Sequence, residues 1–417
     1  MEHIIFIEAT ITGAGLKAAQ TAKNKGVYVT LFTKKGKEYY KRELGQNGIL
    51  QFLDKIIDVD TNDISSLCEA ANQLHQEHPI TAVTTTADFY VPQAAAMAEF
   101  LQLPSMPYEA ALKARNKYKM RMELKKNAPE LNPPFFLVDT ADKALEKALL
   151  LGYPLIMKPQ DENDSLDVIL IHNENELLQN FYRITSKSEN RAGQVKASGG
   201  LLLEAYISGE EYSVETFQGA DDQPIQLMGI TKKFLIGTSR GHFIEVGHSF
   251  PVPDPQNLLF NAVSKALRIL GIHSAACHSE VKFVNGQPVI IEINPRLAGG
   301  GIGSHVIELA TGINPLDIVI DIARGMSPTW DVHEEYGAAI YKLTSPKNGV
   351  IKTLPDLSFL DKADIQEYDI PLKIGQEVRV PMCNADLLGY VVTKASNASE
   401  ALKASKQFIE SITFEIE

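Results

Sequence analysis

The stretch CHSEVKFVNGQPVIIEINPRLAGGGIG, residues 277–303, decides the fold. It contains two extended segments, HSEVKFV and PVIIEIN, on either side of Asn285 and Gly286. An Asn-Gly pair between two apolar runs favours the positive φ angles of a tight hairpin turn. We therefore predict two antiparallel strands that are joined by this turn.

Oxygen donors gather on one face of this hairpin. Glu292 and Asn294 are two residues apart on the second strand, so their side chains point to the same face. Pairing through the turn can bring Glu280 of the first strand to that face. Mg²⁺ is usually bound through one or two carboxylates together with nucleotide phosphates. The hairpin is therefore a candidate magnesium site, and a solvated hairpin with a polar outer face is the alternative.

The residues after the second strand are suited to binding an anion. Arg296 stands at the strand exit, where its guanidinium can face phosphoryl oxygens beside a metal. The following glycines, Gly299, Gly300, Gly301 and Gly303, let the backbone approach an anion closely. The arginine and the glycines together make the solvated hairpin the weaker interpretation.

Composition limits the class of protein. A chain of 417 residues is too long for one ordinary core, so about two or three domains are expected. The net charge of −12 is spread along the chain, which argues against nucleic-acid binding. The three cysteines are far apart and support neither a disulfide framework nor a cysteine-based zinc site. No apolar run approaches the roughly 20 residues of a membrane span, so we expect a cytoplasmic protein without a membrane partner.

The N-terminal region alternates strands and helices. Residues 3–9 form a predicted buried strand, a helix follows through Lys25, and a second strand covers residues 27–32. The same alternation continues to about residue 105, which predicts a parallel α/β domain.

The first strand-helix turn also allows a nicotinamide cofactor. Gly13, Gly15 and Ala18 match a variant of the dinucleotide-binding fingerprint. However, Lys34 and Lys35 stand where an acid would bind the ribose. An NAD-dependent oxidoreductase therefore remains an alternative, beside the simpler interpretation that these glycines close the turn.

Several charged residues of the middle region stand where predicted strands or helices end. A lysine at the end of a buried strand either reaches the surface or directs its ammonium group to an anion. Acids near a turn, and single histidines, are commonly surface or core residues without a ligand. The candidates are Lys117 in a predicted basic helix over residues 114–127, Lys158 after an apolar strand, Glu204 and Glu211 around a turn, and Glu245 with His248 on one predicted strand.

The motifs EINPR, HSEVKF and LLEAYISGEEYSVE resemble the ATP-grasp superfamily of carboxylate-amine ligases, and within it the bacterial L-amino acid ligases. The resemblance implies an α/β chain, with α+β character in its C-terminal part, and an ATP-grasp fold. It also implies three domains: an N-terminal Rossmann-like domain over residues 1–115, a small lid over residues 116–203, and a larger C-terminal domain over residues 204–417 that carries the hairpin.

The resemblance assigns roles to residues that match the family motifs. Nucleotide contacts are implied for Lys117, Lys158, Ser165, Glu204, Ala205, Tyr206 and Glu211. Glu280, Glu292 and Asn294 match the Mg²⁺ ligands, with Mn²⁺ as the alternative metal. Arg296 and Gly299 match the groups that hold the acyl-phosphate intermediate. Substrate contacts are implied for Glu245, His248, Arg296 and Gly300, and Glu245 is also our candidate for the base that receives the proton of the incoming amine.

One departure concerns the lid loop, residues 160–168, which the family usually makes rich in glycine. Here QDENDSLDV has no glycine and contains four acids, Asp161, Glu162, Asp164 and Asp167. Acids beside a phosphate are unfavourable unless they turn outward or engage a cation. The loop therefore closes differently, or the affinity for nucleotide is weakened.

The expected activity is the ATP-dependent joining of two amino acids through an aminoacyl phosphate, with release of ADP and phosphate and with arginine as a candidate first amino acid. Amino acids and ATP are then the expected small-molecule partners, and the C-terminal segment is a candidate contact in a homodimer. Two alternatives stay open beside the oxidoreductase. One is an ATP-grasp ligase for a non-amino-acid amine or acid, and the other is a nucleotide-binding protein without catalysis.

Overall fold

The computed structural model describes residues 1–10, 13–36, 48–187, 198–333, 336–360 and 365–417. Three main sheets organise these residues. No helix within the described ranges has the length and apolar character needed to cross a membrane. The predicted domain limits at residues 115 and 203 stay a prediction.

The N-terminal sheet has four parallel strands in the order β3-β2-β1-β4. Its buried core side chains, such as Phe6 and Ile7, point alternately to opposite faces, and helices cover both faces. The predicted parallel α/β architecture is thus confirmed. The strands are β1 (His3–Ile7), β2 (Tyr28–Thr33), β3 (Lys55–Asp58) and β4 (Ala82–Thr84), and the helices are α1 (Ala14–Asn24), α2 (Ile64–Glu77) and α3 (Val91–Phe100).

The predicted single helix over residues 114–127 is wrong, because the chain forms two helices, α4 (Tyr108–Arg115) and α5 (Lys117–Asn127). Asn116 lies between them in an extended conformation. Its side chain accepts a hydrogen bond from the amide of Lys119 at 3.0 Å. Asparagine is a favoured N-cap residue, so it begins a new helix here and turns the chain.

A second sheet of four antiparallel strands has the order β5-β8-β6-β7. Its strands are β5 (Phe135–Val138), β6 (Leu155–Pro159), β7 (Ile169–Ile171) and β8 (Leu201–Ala205), and it is covered by α6 (Ala141–Leu151) and α7 (Glu174–Thr185). The sequence DENDSLDVILI, residues 161–171, predicts a strand, but only its last three residues form one, β7. Helix α7 begins at an Asn173 cap. Residues 184–199, predicted to be a polar connection, lie partly outside the described residues.

The largest sheet has eight strands in the order β13-β12-β9-β10-β11-β14-β18-β16. Its pairs are antiparallel. The strands are β9 (Glu210–Gln218), β10 (Gln226–Ile236), β11 (Ile244–Phe250), β12 (Ala275–Val284), β13 (Gln287–Asn294), β14 (Gly337–Leu343), β16 (Ile365–Asp369) and β18 (Gly389–Ala395), and a separate pair is formed by β15 (Gly349–Val350) and β17 (Glu377–Val378).

Four helices accompany the large sheet: α8 (Gln256–Leu270), α9 (Ile307–Thr311), α10 (Pro315–Ala323) and α11 (Ala398–Glu410). The helix predicted over residues 304–311 begins instead with a wider turn over Ile302–Val306, which continues into α9.

The predicted hairpin is confirmed as β12 and β13. Asn285 and Gly286 have φ angles of 50° and 78°, as a tight turn of this sequence requires. The register places Glu280 directly opposite Glu292, so the two carboxylates share one face.

A buried arginine ties this hairpin to the second sheet. Arg121 of α5 is fully buried and pairs through Nε with Glu204 Oε1 of β8 at 2.7 Å. Its two other nitrogens donate to the carbonyls of Ile290 and Ile291 in β13, at 2.7 and 2.9 Å. One guanidinium therefore connects three elements that are distant in sequence.

We predict that Arg121→Met lowers the free energy of unfolding by about 3–5 kcal/mol, because it removes one partner of a buried ion pair. Denaturant unfolding should show a lower midpoint with an unchanged slope. Lys143→Met, which removes an exposed pair with Asp139, is the control and should leave the midpoint unchanged. Equal midpoints for both variants would contradict the role of Arg121.

Candidate functional site

A cavity of about 750 Å³ is lined by residues from all three main parts of the fold. Every residue assigned to the site from the sequence lines this cavity, with the exception of His248. The assigned residues that line it are Lys117, Lys158, Ser165, Glu204, Ala205, Tyr206, Glu211, Glu245, Glu280, Glu292, Asn294, Arg296, Gly299 and Gly300.

The hairpin offers two carboxylates and one amide oxygen to this cavity. Each carboxylate is held by a lysine: Lys117 Nζ lies 2.9 Å from Glu292 Oε1, and Lys233 Nζ lies 2.9 Å from Glu280 Oε1. Among the described residues, no cluster of three or more His, Cys, Asp or Glu side chains could hold a metal. With Asn294, the donor set fits Mg²⁺ that is bound partly through the phosphates of a nucleotide.

Lys233 lies behind the acidic wall of the cavity, among three carboxylates that line it. It was not predicted as a site residue from the sequence. Its buried ammonium group contacts Glu211 at 3.1 Å, Glu245 at 3.0 Å and Glu280 at 2.9 Å. Burial opposes the charged form, but the three carboxylates outweigh it and hold the pKa of Lys233 well above its usual range. A lysine within the largely apolar strand β10 was the feature of the sequence that could have identified it.

Glu245 and His248 lie on the same face of β11, although they are three residues apart. The register between β10 and β11 shifts at Val246, and this bulge restores the common face. Glu245 lines the cavity, whereas His248 is fully buried behind it, with Nε2 3.5 Å from Oε2 of the carboxylate. Glu245 therefore faces the cavity directly and His248 does not, while contact of either side chain with a substrate stays a prediction.

His248 is neutral in this position. Burial lowers its pKa to about 4, against the opposing influence of Glu245. It contacts the carboxylate of Glu245, which lines the cavity.

Arg296 is anchored by an acid of the N-terminal region. Its Nε lies 2.8 Å from Oδ1 of Asp88, and one of its terminal nitrogens donates to the carbonyl of Leu297 at 3.0 Å. Arg115 lies 3.9 Å from the other oxygen of Asp88. The sequence analysis missed Asp88, although an acid shortly after a parallel strand is a recognisable site position.

At the other end of the cavity, Glu204 is shared by two cations. Lys158 Nζ lies 2.7 Å from Oε2, while Arg121 occupies Oε1. Burial favours the neutral acid, but the two cations hold the pKa of Glu204 well below its usual range. Tyr206 lines the wall here, with the ammonium group of Lys282 5.6 Å from its ring centroid.

The lid loop replaces glycine with residues in the left-handed region. Asp164, Ser165 and Asp167 have φ angles of 53°, 56° and 58°. Residues other than glycine rarely adopt this conformation, although aspartate does so more readily than most. Ser165 faces the cavity from this strained segment.

The four acids of the lid loop divide into two groups. Asp167 pairs with Arg183, with Nη1 and Oδ1 2.6 Å apart, and Asp161 accepts a hydrogen bond from the amide of residue 198 at 2.8 Å. These two acids do not line the cavity, whereas Glu162 and Asp164 do. The expectation that the acids turn outward or meet a cation is therefore met by Asp161 and Asp167.

Of the two glycines in the N-terminal strand-helix turn, Gly15 allows close packing and Gly13 lines the cavity. A side chain at Gly15 would lie 1.9 Å from the carbonyl oxygen of Thr10, so only glycine fits there. Gly13 and Thr10 line the cavity that the hairpin lines. This arrangement agrees with the simpler interpretation, in which the glycines close the strand-helix turn.

Three family models match successive parts of the chain. The ATP-grasp N-terminal domain matches residues 19–105, the ATP-grasp domain matches residues 151–304, and the L-amino acid ligase C-terminal domain 2 matches residues 342–417. The second match spans strands of both the second sheet and the large sheet, and the third covers the C-terminal strands of the large sheet.

Individual proteins agree with these models. The chain is similar to the uncharacterized protein y4rH of Sinorhizobium fredii, at 25% identity over 86% of this chain and 73% of the relative. It is 24% identical to the L-arginine-specific L-amino acid ligase of Bacillus subtilis, over 76% of each chain. It also matches carbamoyl phosphate synthase large chains, but spans only 18% of their length.

Among solved structures, an L-amino acid ligase from Bacillus licheniformis has a TM-score of 0.81 at 20% identity, covering 100% of this chain and 99% of that one. This likeness shows the fold. The three family models, which together cover most of the chain, show that it belongs to the ATP-grasp carboxylate-amine ligases and carries an L-amino acid ligase C-terminal domain.

Proposed function

We propose that this enzyme joins two unprotected L-amino acids into a dipeptide and converts ATP to ADP and phosphate. The observation that supports the proposal is that one cavity is lined by two carboxylates and an amide oxygen of the hairpin, by Lys117 and Lys158, and by Glu245. These groups suit a metal ion, phosphates and an ammonium group, respectively. Membership of the ATP-grasp ligases argues against the alternative of an NAD-dependent oxidoreductase. The chemistry then requires that a carboxylate be activated before an amine can attack it.

The nucleotide would lie between the second sheet and the hairpin. Lys117 and Lys158 supply ammonium groups for its phosphates, and both now rest on carboxylates, at 2.9 and 2.7 Å. Glu280, Glu292 and Asn294 would hold Mg²⁺ or Mn²⁺. The metal would neutralise charge on the phosphate oxygens and orient them for transfer. With Glu292 engaged as a metal ligand, Lys117 would be available to pair with a phosphate instead.

In the first step, an oxygen of the first amino acid's carboxylate attacks the γ-phosphorus, and the bond to the ADP oxygen breaks. Arg296 carries the charge that stabilises this transfer and the acyl phosphate that results. Asp88 fixes the guanidinium through Nε, which leaves another terminal nitrogen for the substrate. The backbone N–H of Gly299 is the second donor toward the acyl oxygen.

In the second step, the amine nitrogen of the second amino acid attacks the acyl carbon, and phosphate leaves. The incoming ammonium group must lose a proton. Burial favours the neutral acid at Glu245, but Lys233 outweighs it and holds the pKa of Glu245 well below its usual range. Such a carboxylate is a weak base, so Glu245 is better suited to bind an α-ammonium group than to remove its proton.

A ligase for a non-amino-acid amine or acid is the second candidate, because it would share the nucleotide residues. The acid at Glu245 beside the glycine run favours substrates that carry an ammonium group. Arginine as the first amino acid stays a prediction that rests on the resemblance, as do the homodimer and the cytoplasmic location.

A panel of amino-acid pairs tests the function. We expect ADP and phosphate to form only when ATP, Mg²⁺ and two amino acids are present together, since the acyl phosphate needs an amine acceptor. Phosphate release and dipeptide mass are the measurements. If other acid-amine pairs are turned over and no amino-acid pair is, the enzyme is a ligase for a non-amino-acid amine or acid. No turnover with any pair would support a nucleotide-binding protein without catalysis.

Arg296→Ala should lower kcat by about 100-fold or more, because the guanidinium acts on charge that develops during transfer. The Kd for ATP, measured by calorimetry, should change by only a few fold. Arg324→Ala, which removes a guanidinium paired with Glu2 and Asp321 away from the cavity, is the matched control. A variant with near-normal kcat would show that Arg296 is misassigned.

Glu292→Gln should raise the Mg²⁺ concentration needed for half-maximal turnover by about 10-fold or more, since one of two carboxylate ligands is lost. The measurement is a Mg²⁺ titration at saturating ATP. Exposed Glu69→Gln is the control and should titrate like the unaltered protein. Unchanged Mg²⁺ dependence in Glu292→Gln would remove this residue from the metal site.

A further inference from the structure

Lys342 of β14 is a buried lysine that the mechanism above does not use. Its relative exposure is 9%, and it lines the cavity next to Tyr390, its cross-strand partner. Within the described part of the chain, no side chain or carbonyl makes a hydrogen bond or ion pair with its ammonium group. Three other buried lysines of the described ranges line the cavity, and each pairs with a carboxylate: Lys117 and Lys158 within 3 Å, and Lys282 at 3.7 Å.

Gly300 leaves this ammonium group open to the cavity. The backbone at Gly300 has a φ of 62°, and a side chain added there would begin 3.2 Å from Lys342 Nζ. The same added atom would lie 3.8 Å from Nε2 of His248, which is neutral. The glycine therefore keeps a space above Lys342 in which a ligand atom can approach the ammonium group.

The charges around Lys342 leave it without a close counterion. Burial lowers its pKa, Lys233 acts in the same direction, and Glu245 and Asp164 only partly oppose them. A buried ammonium group in such surroundings gains from an anion that enters with the substrate. Glu245 and Lys342 thus present a carboxylate and an ammonium group to the same region. This pair is complementary to a molecule that carries both an ammonium group and a carboxylate.

We propose that Lys342 binds a second carboxylate of the substrate pair, one that is not activated by ATP. The proposal rests on the proposed function. Arg296 and Gly299 serve the reacting carboxylate, whereas Lys342 stands beside the next residue, Gly300. The second carboxylate has two sources: the side chain of an acidic amino acid, or the α-carboxylate of the second amino acid. An arginine side chain would be repelled by Lys342 and would have to lie elsewhere in the cavity.

The unaltered enzyme tests the proposal first. Glutamate is compared with glutamine, and aspartate with asparagine, in each position of the pair, and each second amino acid is compared with its α-amide. If the side chain is the source, kcat/KM for the acid exceeds that for its amide isostere by about tenfold or more. If the α-carboxylate is the source, every α-amide is the poorer substrate by a similar factor.

Lys342→Met should remove that preference by raising KM for the carboxylate-bearing substrate by about tenfold or more. The KM for ATP and the kcat with substrates that lack this carboxylate should stay within about threefold. Lys342→Arg should retain the preference, and exposed Lys352→Met of the same domain is the control. The Tm of Lys342→Met should not fall, because an unpaired buried charge is removed.

Three outcomes separate the hypotheses. Equal kcat/KM for acids and amides in the unaltered enzyme overturns the role of Lys342, even if the variant fails to fold. A rise in the KM for ATP in Lys342→Met, with unchanged amino-acid KM values, overturns it as well, because the lysine would then bind a phosphate. Absence of turnover with every amino-acid pair contradicts the proposed function itself.

Discussion

The cavity depends on one buried ammonium group, that of Lys233, among the carboxylates of three neighbouring strands. Glu211, Glu245 and Glu280 come from β9, β11 and β12, and each lies within about 3.1 Å of its nitrogen. Three acids at this density would repel one another in a buried site, and a single cation lets them coexist. The residues assigned to the nucleotide, the metal and the amine therefore share one counterion, which couples the positions of these three carboxylates.

The sequence was informative wherever the decisive interaction is local. Glu280 lies opposite Glu292 only because an extra residue, Ile291, shifts the register of the hairpin, and the Asn285-Gly286 turn alone would not predict that shift. Glu292 and Asn294, in contrast, share a face because they are two residues apart on one strand, and this pair could be read directly. The strand-helix alternation of the first hundred residues predicted a parallel sheet for the same reason. Each of these inferences needs only neighbours along the chain or a single turn.

The remaining features depend on pairing between distant segments. Lys233 becomes a counterion only when four strands assemble around it, and Asp88 meets Arg296 across more than two hundred residues. His248 shares a face with Glu245 only because of the bulge at Val246, and no periodicity of two can anticipate such an extra residue. The break between the two helices at Asn116 has a sequence signal, because asparagine is a favoured N-cap residue. The basic residues on both sides of it nevertheless indicated one continuous helix.

The left-handed segment of the lid loop has a consequence for the rate of nucleotide exchange. A glycine-rich loop samples many conformations and must give up that freedom each time it covers a phosphate. Asp164, Ser165 and Asp167 have far fewer conformations to lose, and the pairing of Asp167 with Arg183 fixes the segment from behind. Under the proposed function, such a stiff cover would lower the entropic cost of holding the nucleotide, and it would slow product departure if release required the Asp167–Arg183 pair to move.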